Sequence, residues 1–321
     1  TILINQNALI AVTRFGLGAS PGELRSASSD PRAWLSNQLH KAYIPKALNI
    51  EFSGKDMVPE YLDNVKNARA ALAANNARQA REIYIQETGQ RAVIQIKSTQ
   101  PLVERLVIFW SNHFTVSAQK NFLTVLVNEY EVQAIRTNLN GTFYDMLLAV
   151  CQHPAMLFYL DNVQSFGPNS VAGKRRNKGL NENLAREIME LHTLGVNGGY
   201  SQADVIGLAK MITGWSMDRK SEKVLVKYKF QAQMHEPGSK VLLGRTFPEE
   251  GEQEGIKALK MLANHPATAK HIATKLARQF IQDDPPESAV QALTKSFLDS
   301  GGHLPTLMQT LINLDAAWQL P

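Results

Sequence analysis

The stretch Asn181 to Trp215, NENLAREIMELHTLGVNGGYSQADVIGLAKMITGW, constrains this chain more than any other, because its residue choices specify a helix, a stop and a second helix in succession. Asn181 has the side chain of an N-cap, and Glu182 sets negative charge at the positive end of the helix that follows. Gly195 supplies the stop. Ser201 and Asp204 have capping-box spacing, and Val205, Leu208, Ala209 and Ile212 then recur at helical intervals up to Gly214.

At about 100° per residue, Asn183, Arg186, Glu187 and Glu190 project from one side of the first helix, and Leu184, Ala185, Ile188, Met189 and Leu191 from the other. His192 falls on the apolar side, where a histidine is ordinarily a hydrogen-bonded core residue. The polar stripe has two readings. It is either a solvated face carrying the i,i+4 pairs Glu182–Arg186 and Arg186–Glu190, or a functional surface with two carboxylates one turn apart. Asn197, Gly198, Gly199 and Asp204 do not make a calcium loop, because the alternating oxygen ligands are missing.

A chain of 321 residues, 44% hydrophobic, can bury a large core, and no stretch is long and apolar enough to span a bilayer. Lys and Arg outnumber Asp and Glu by 34 to 29, interspersed along the chain. That balance favours anionic neighbours, but no nucleic-acid motif and no basic stripe with interleaved aromatics accompanies it. The single Cys151, beside an apolar run, reads as a small buried hydrophobe.

The remaining segments predict a mainly α, multi-helix globular bundle, residues 1–321 forming one helical domain. From Glu60 to Lys97 the composition suggests long exposed helices, an arm suited to a partner. Pro101 opens a helix that carries Trp110 and His113 on a largely apolar side. Gln164 to Gly179 lacks periodicity and contains Lys174, Arg175, Arg176 and Lys178, so it reads as a mobile basic loop, solvated or able to recruit an anionic ligand. Lys223 to Met234 alternates, Pro237-Gly238 turns and Lys240 to Leu243 returns, which predicts one small β-hairpin at 223–244 with His235 and Glu236 at its tip. The carboxy-terminal part returns to helices, and His265, His271 and His303 receive no chemical role. Arg14 reads as a tie for the bend at Gly16 and Gly18, or as an anion-binding fork.

The run NENLAREIMELHTLGV…YSQADV…ITGW is similar to the signature of the bacterial family known as domain of unknown function 1800. RFGLG at Arg14 to Gly18, ERLVIFWSNHFTVS at Glu104 to Ser117, HPAMLFYLDN at His153 to Asn162 and HEPGSKVLLG at His235 to Gly244 match the same pattern in the same order. The resemblance implies export to the periplasm or beyond, which would make Thr1 a processed terminus, and a neighbouring secreted, sulfatase-related protein as partner. It implies no established reaction.

Because these motifs occur together, the leading expectation is an enzyme, a metal-dependent hydrolase or oxidoreductase. Asn183, Arg186, Glu187 and Glu190 would form its site, and Glu187, Glu190, His113 and His235 would hold a divalent metal. No GxSxG, HExxH, P-loop or dinucleotide motif is present to fix the reaction. The rival expectation is an interaction protein in which the signature is an internal polar network and the arm binds the partner. A haem site between His113 and His192 is disfavoured, because no attachment motif accompanies them.

Overall fold

The computed structural model describes residues 5–39, 77–218 and 227–319. Its helices, in order, are α1 (Gln6–Arg14), α2 (Glu23–Ala27), α3 (Pro31–Ser36), α4 (Ala77–Lys97), α5 (Pro101–His113), α6 (Val127–Tyr130), α7 (Phe143–Gln152), α8 (Pro154–Tyr159), α9 (Val171–Arg176), α10 (Asn183–Glu187), α11 (Gln202–Met211), α12 (Glu252–Ala263), α13 (Pro266–Phe280), α14 (Glu287–Asp299) and α15 (Leu304–Asn313). The strands of the described residues are β1 (Trp215–Met217), β2 (Tyr228–Phe230), β3 (Lys240–Leu242) and β4 (Arg245–Phe247). The mainly α expectation holds.

Local chemistry explains several helix starts. The triplet His-Pro-Ala occurs twice, and each time the proline takes the first helical position while the histidine Nδ1 accepts an orphan amide. His153 receives Ala155 N–H and His265 receives Ala267 N–H, both at 3.1 Å. Arg14 ties the amino-terminal bend to the carboxy terminus, donating to the Ala317 carbonyl at 2.6 Å.

The core joins both ends of the chain. Phe15 stacks on Phe280 and on Trp318, and Phe114 and Phe143 stack with Phe297 close behind. Each such fully buried ring contributes about 1.5–3 kcal/mol from the area it removes from water. The buried polar network lies here too. Arg136 meets Glu104 through two bonds of 2.8 and 2.7 Å and reaches Glu131 at 3.1 Å, all three side chains being buried. Arg91 of α4 pairs with Glu131 from outside, and Asn128 Nδ2 donates to Glu87 of α4 at 2.8 Å. The described part of the expected arm, α4, is therefore helical and tied to the body; residues 60–76 lie outside the described residues.

Two expectations are corrected. The span 223–244 does not form one hairpin. β2 pairs antiparallel with β1, Trp215 opposite Phe230, and β3 pairs with β4, Lys240 opposite Phe247. The second hairpin turns on Leu243 and Gly244, both with positive φ (49° and 74°), the geometry of a two-residue turn matched to strand twist. Leucine is an unusual residue there, so the turn carries no ordinary sequence signal. Residues 223–226 of the expected strand lie outside the described residues.

The basic stretch is not a structureless loop either. Ser170 caps α9, and the Glu236 carboxylate accepts from Asn169 N (2.9 Å) and Asn169 Nδ2 (2.7 Å). Gly167 lies so close to the Glu236 backbone that a Cβ would come within 2.5 Å of it. Lys174, Arg175, Arg176 and Lys178 are exposed on this held segment.

Candidate functional site

The signature helix begins at Asn183, one residue later than capping by Asn181 suggests, and Asn181 still accepts the Asn183 amide at 3.0 Å. Its second half, Ile188–His192, widens into a π turn. Thr193 Oγ1 closes that turn on the Ile188 carbonyl at 2.6 Å, and Gly195 leaves it at φ +84°. The capping box Ser201–Asp204 starts α11 as expected, and the other Asp204 oxygen accepts Leu243 N–H at 2.7 Å, docking the second hairpin. Gly207 makes that docking close, because a Cβ there would lie 2.1 Å from the Val241 carbonyl. Asn162, buried, donates to the Ile212 and Trp215 carbonyls at 3.1 and 3.0 Å and fixes the far end of α11.

A widened turn leaves carbonyls without amide donors. Two histidines from other positions meet them. His113 Nε2 lies 3.0 Å from the His192 carbonyl, and His271 Nε2 lies 3.0 Å from the Leu191 carbonyl. Since a carbonyl only accepts, each Nε2 carries the proton and each Nδ1 a lone pair. Lys275 Nζ then donates to His113 Nδ1 at 2.7 Å. Burial, the Lys275 charge and the neighbouring rings hold the His113 imidazole well below its usual range. Burial, then Lys275 and His271, lower His192 to about 3. Buried His192 Nδ1 has no protein partner.

The polar face of the same helix is open. Asn183 and Arg186 are exposed, and Glu187 and Glu190 are half-buried. Arg186 turns back to Glu182 (3.1 Å) and Gln202 (2.8 Å) across the gap to α11, and Gln202 Nε2 completes the ring to Glu182 at 2.7 Å. Burial raises the Glu187 carboxyl, and the Glu190 charge raises it further. Burial raises the Tyr200 phenol, and the charge of Glu190 raises it further.

His235 sits elsewhere and is buried, not displayed at a hairpin tip. Its Nδ1 bonds the Thr213 carbonyl at 2.9 Å, and its Nε2 lies 3.3 Å from both Glu254 Oε1 and Lys240 Nζ. Lys240 reaches Glu254 Oε2 at 2.7 Å, and Glu254 Oε1 caps α12 by accepting Glu250 N–H and Gly251 N–H. Among the described residues, no three His, Cys, Asp or Glu side chains are grouped so as to hold a metal ion. Glu187, Glu190, His113 and His235 thus do not converge as one ligand set: both nitrogens of each histidine already face protein partners. The sequence reading missed Tyr200, Glu254, Lys240, His271 and Lys275. The one available signal was spacing, since His271 and Lys275 are one helical turn apart.

No helix of the described residues is long and apolar enough to cross a membrane. Searches of curated proteins and of solved structures return no match. The family described as Protein of unknown function (DUF1800) matches residues 10–321, nearly the whole length, and the chain belongs to that family.

Proposed function

We infer that the polar face shared by α10 and α11 is the acid–base site of an enzyme. One observation carries this reading. Glu187 and Glu190 are two half-buried carboxylates one helical turn apart, the Glu187 carboxyl being raised by burial and by the charge of its neighbour. A carboxyl raised by burial and by a neighbouring carboxylate can serve as an acid beside that neighbour, the arrangement that hydrolysis of a polar bond uses. Glu187 takes the acid role and Glu190 the base, and the Glu182–Arg186–Gln202 ring presents a guanidinium edge to an anionic group of the substrate. A divalent cation held by the two carboxylates is a narrower form of the same reading.

Its test compares Glu187→Gln and Glu190→Gln with the parent protein on a panel of esters, glycosides and phosphoesters, with and without Mg2+, Mn2+ or Zn2+. The variants keep the parent unfolding midpoint and lose turnover. Equal turnover in parent and variants overturns the reading.

A second reading, a partner-binding protein, is favoured by α4, where Ile85, Val93 and Ile96 are 59%, 48% and 75% exposed and fall on one side of the helix. In that reading the chain is exported and the partner is the secreted sulfatase-related protein that the family resemblance implies. Co-purification of that protein with the parent, and its loss with Ile85→Ser and Ile96→Ser, is the expected result.

A further inference from the structure

We propose that Lys275 is a reactive amine that forms imines with small aldehydes and ketones, at a place separate from the Glu187–Glu190 site and independent of that reading. Most lysine amines are unreactive near neutral pH because they are protonated and water or a carboxylate stabilises the charge. Lys275 lacks the carboxylate: among the described residues no ion pair involves it. It is half-buried, so part of its hydration is also gone. Its defined polar contact is His113 Nδ1 at 2.7 Å, and the His192 carbonyl bonded to Nε2 fixes that nitrogen as an acceptor. The titratable groups around it are the imidazoles of His113, His192 and His271, from α5, the signature helix and its own helix α13. None of them offers a negative charge. Burial accordingly lowers the Lys275 amine from the ordinary lysine value.

The chemistry that this arrangement suits is nucleophilic addition to a carbonyl. The neutral Lys275 amine, one N–H held by His113 Nδ1, adds its lone pair to the carbonyl carbon. Both amine protons then pass through solvent water to the former carbonyl oxygen, which leaves as water. Amine and carbonyl compound become imine and one water, with no net oxidation. His113 aims the amine, and its hydrogen bond to the helix-end carbonyl keeps its ring in register.

The test is limited labelling of the full chain with propionaldehyde and cyanoborohydride at pH 7, followed by peptide mass spectrometry. Exposed Lys270 lies on the same helix and serves as the internal reference. Lys275 is expected to be alkylated at least about fivefold faster than Lys270, the difference shrinking from pH 7 to pH 10 as the reference amine loses its proton too. His113→Gln is expected to slow Lys275 at least about threefold and to leave Lys270 unchanged. If His113→Gln does not fold, the ratio in the parent protein across that pH range decides alone. Labelling of Lys275 no faster than Lys270 at pH 7 overturns the proposal, and so does a folded His113→Gln protein whose Lys275 rate is unaltered.

Discussion

Among the described residues two histidine–lysine contacts occur, and they differ in one component. At the second hairpin, His235 and Lys240 share Glu254, which pairs with Lys240 at 2.7 Å. At the end of the signature helix, His113 and Lys275 meet at 2.7 Å with no carboxylate. The first is a closed set in which a buried cation is neutralised and the hairpin is locked to α12. The second caps two orphan carbonyls and leaves an amine without a counterion. The same pair of residue types is thus a structural lock in one place and a polarised, partly open cluster in the other. The carboxylate decides which.

The largest effect should come from removing that carboxylate. Glu254→Gln leaves Lys240 buried with its charge uncompensated, and the loss of unfolding free energy should be about 3–5 kcal/mol, measured by urea titration. A loss below about 1 kcal/mol would mean that Lys240 does not depend on Glu254.

Acid should act through the neutral imidazoles. His192 and His153 fold with pKa values lowered by burial from 6.5 to about 3. Below 6.5 the unfolded chain binds a proton that the folded ring refuses. Their stabilising contribution is therefore complete above pH 6.5 and declines as pH falls toward 3, at about 1.4 kcal/mol per pH unit for each ring. His153→Asn, which keeps a capping side chain, should flatten the pH dependence of the unfolding free energy by that amount; an unchanged slope refutes neutral burial at this site.

Smaller changes separate the two parts of the open cluster. His113→Leu removes the donor to the His192 carbonyl and should cost about 1–3 kcal/mol, read from chemical unfolding. Lys275→Met should change stability by no more than about 0.5 kcal/mol, because it deletes a charge that nothing neutralises. If the lysine variant loses more than the histidine variant, Lys275 is the structural member and the comparison is reversed.

Much of the fold was legible because its signals are local. Proline at the first helical position, the Ser201–Asp204 box and the Gly195 stop each act within one turn of chain, and each is found where the sequence puts it. The hairpin was misassigned because Leu243 occupies a left-handed position by tertiary demand, through the Asp204 bond to its amide. The polar stripe of the signature helix was visible in the helical period. The π turn that follows it was not, since a change of winding depends on donors such as His113 and His271 arriving from far along the chain. The rival expectation put an internal polar network on the signature helix; the buried acid–arginine brace of the described residues is a different set, Glu104, Glu131 and Arg136, whose partners come together only in the folded chain.

Glu187 and Glu190 form a half-exposed carboxylate pair on a helix whose end is braced by His113 and His271. Carbon-13 carboxyl titration of Glu187 and Glu190 tests this most directly. Glu187 should titrate above the ordinary glutamate range and fall back toward it in Glu190→Gln, while the unfolding midpoint stays that of the parent. A Glu187 that titrates at or below the ordinary value, unmoved by Glu190→Gln, would contradict the coupled pair and with it the acid–base site.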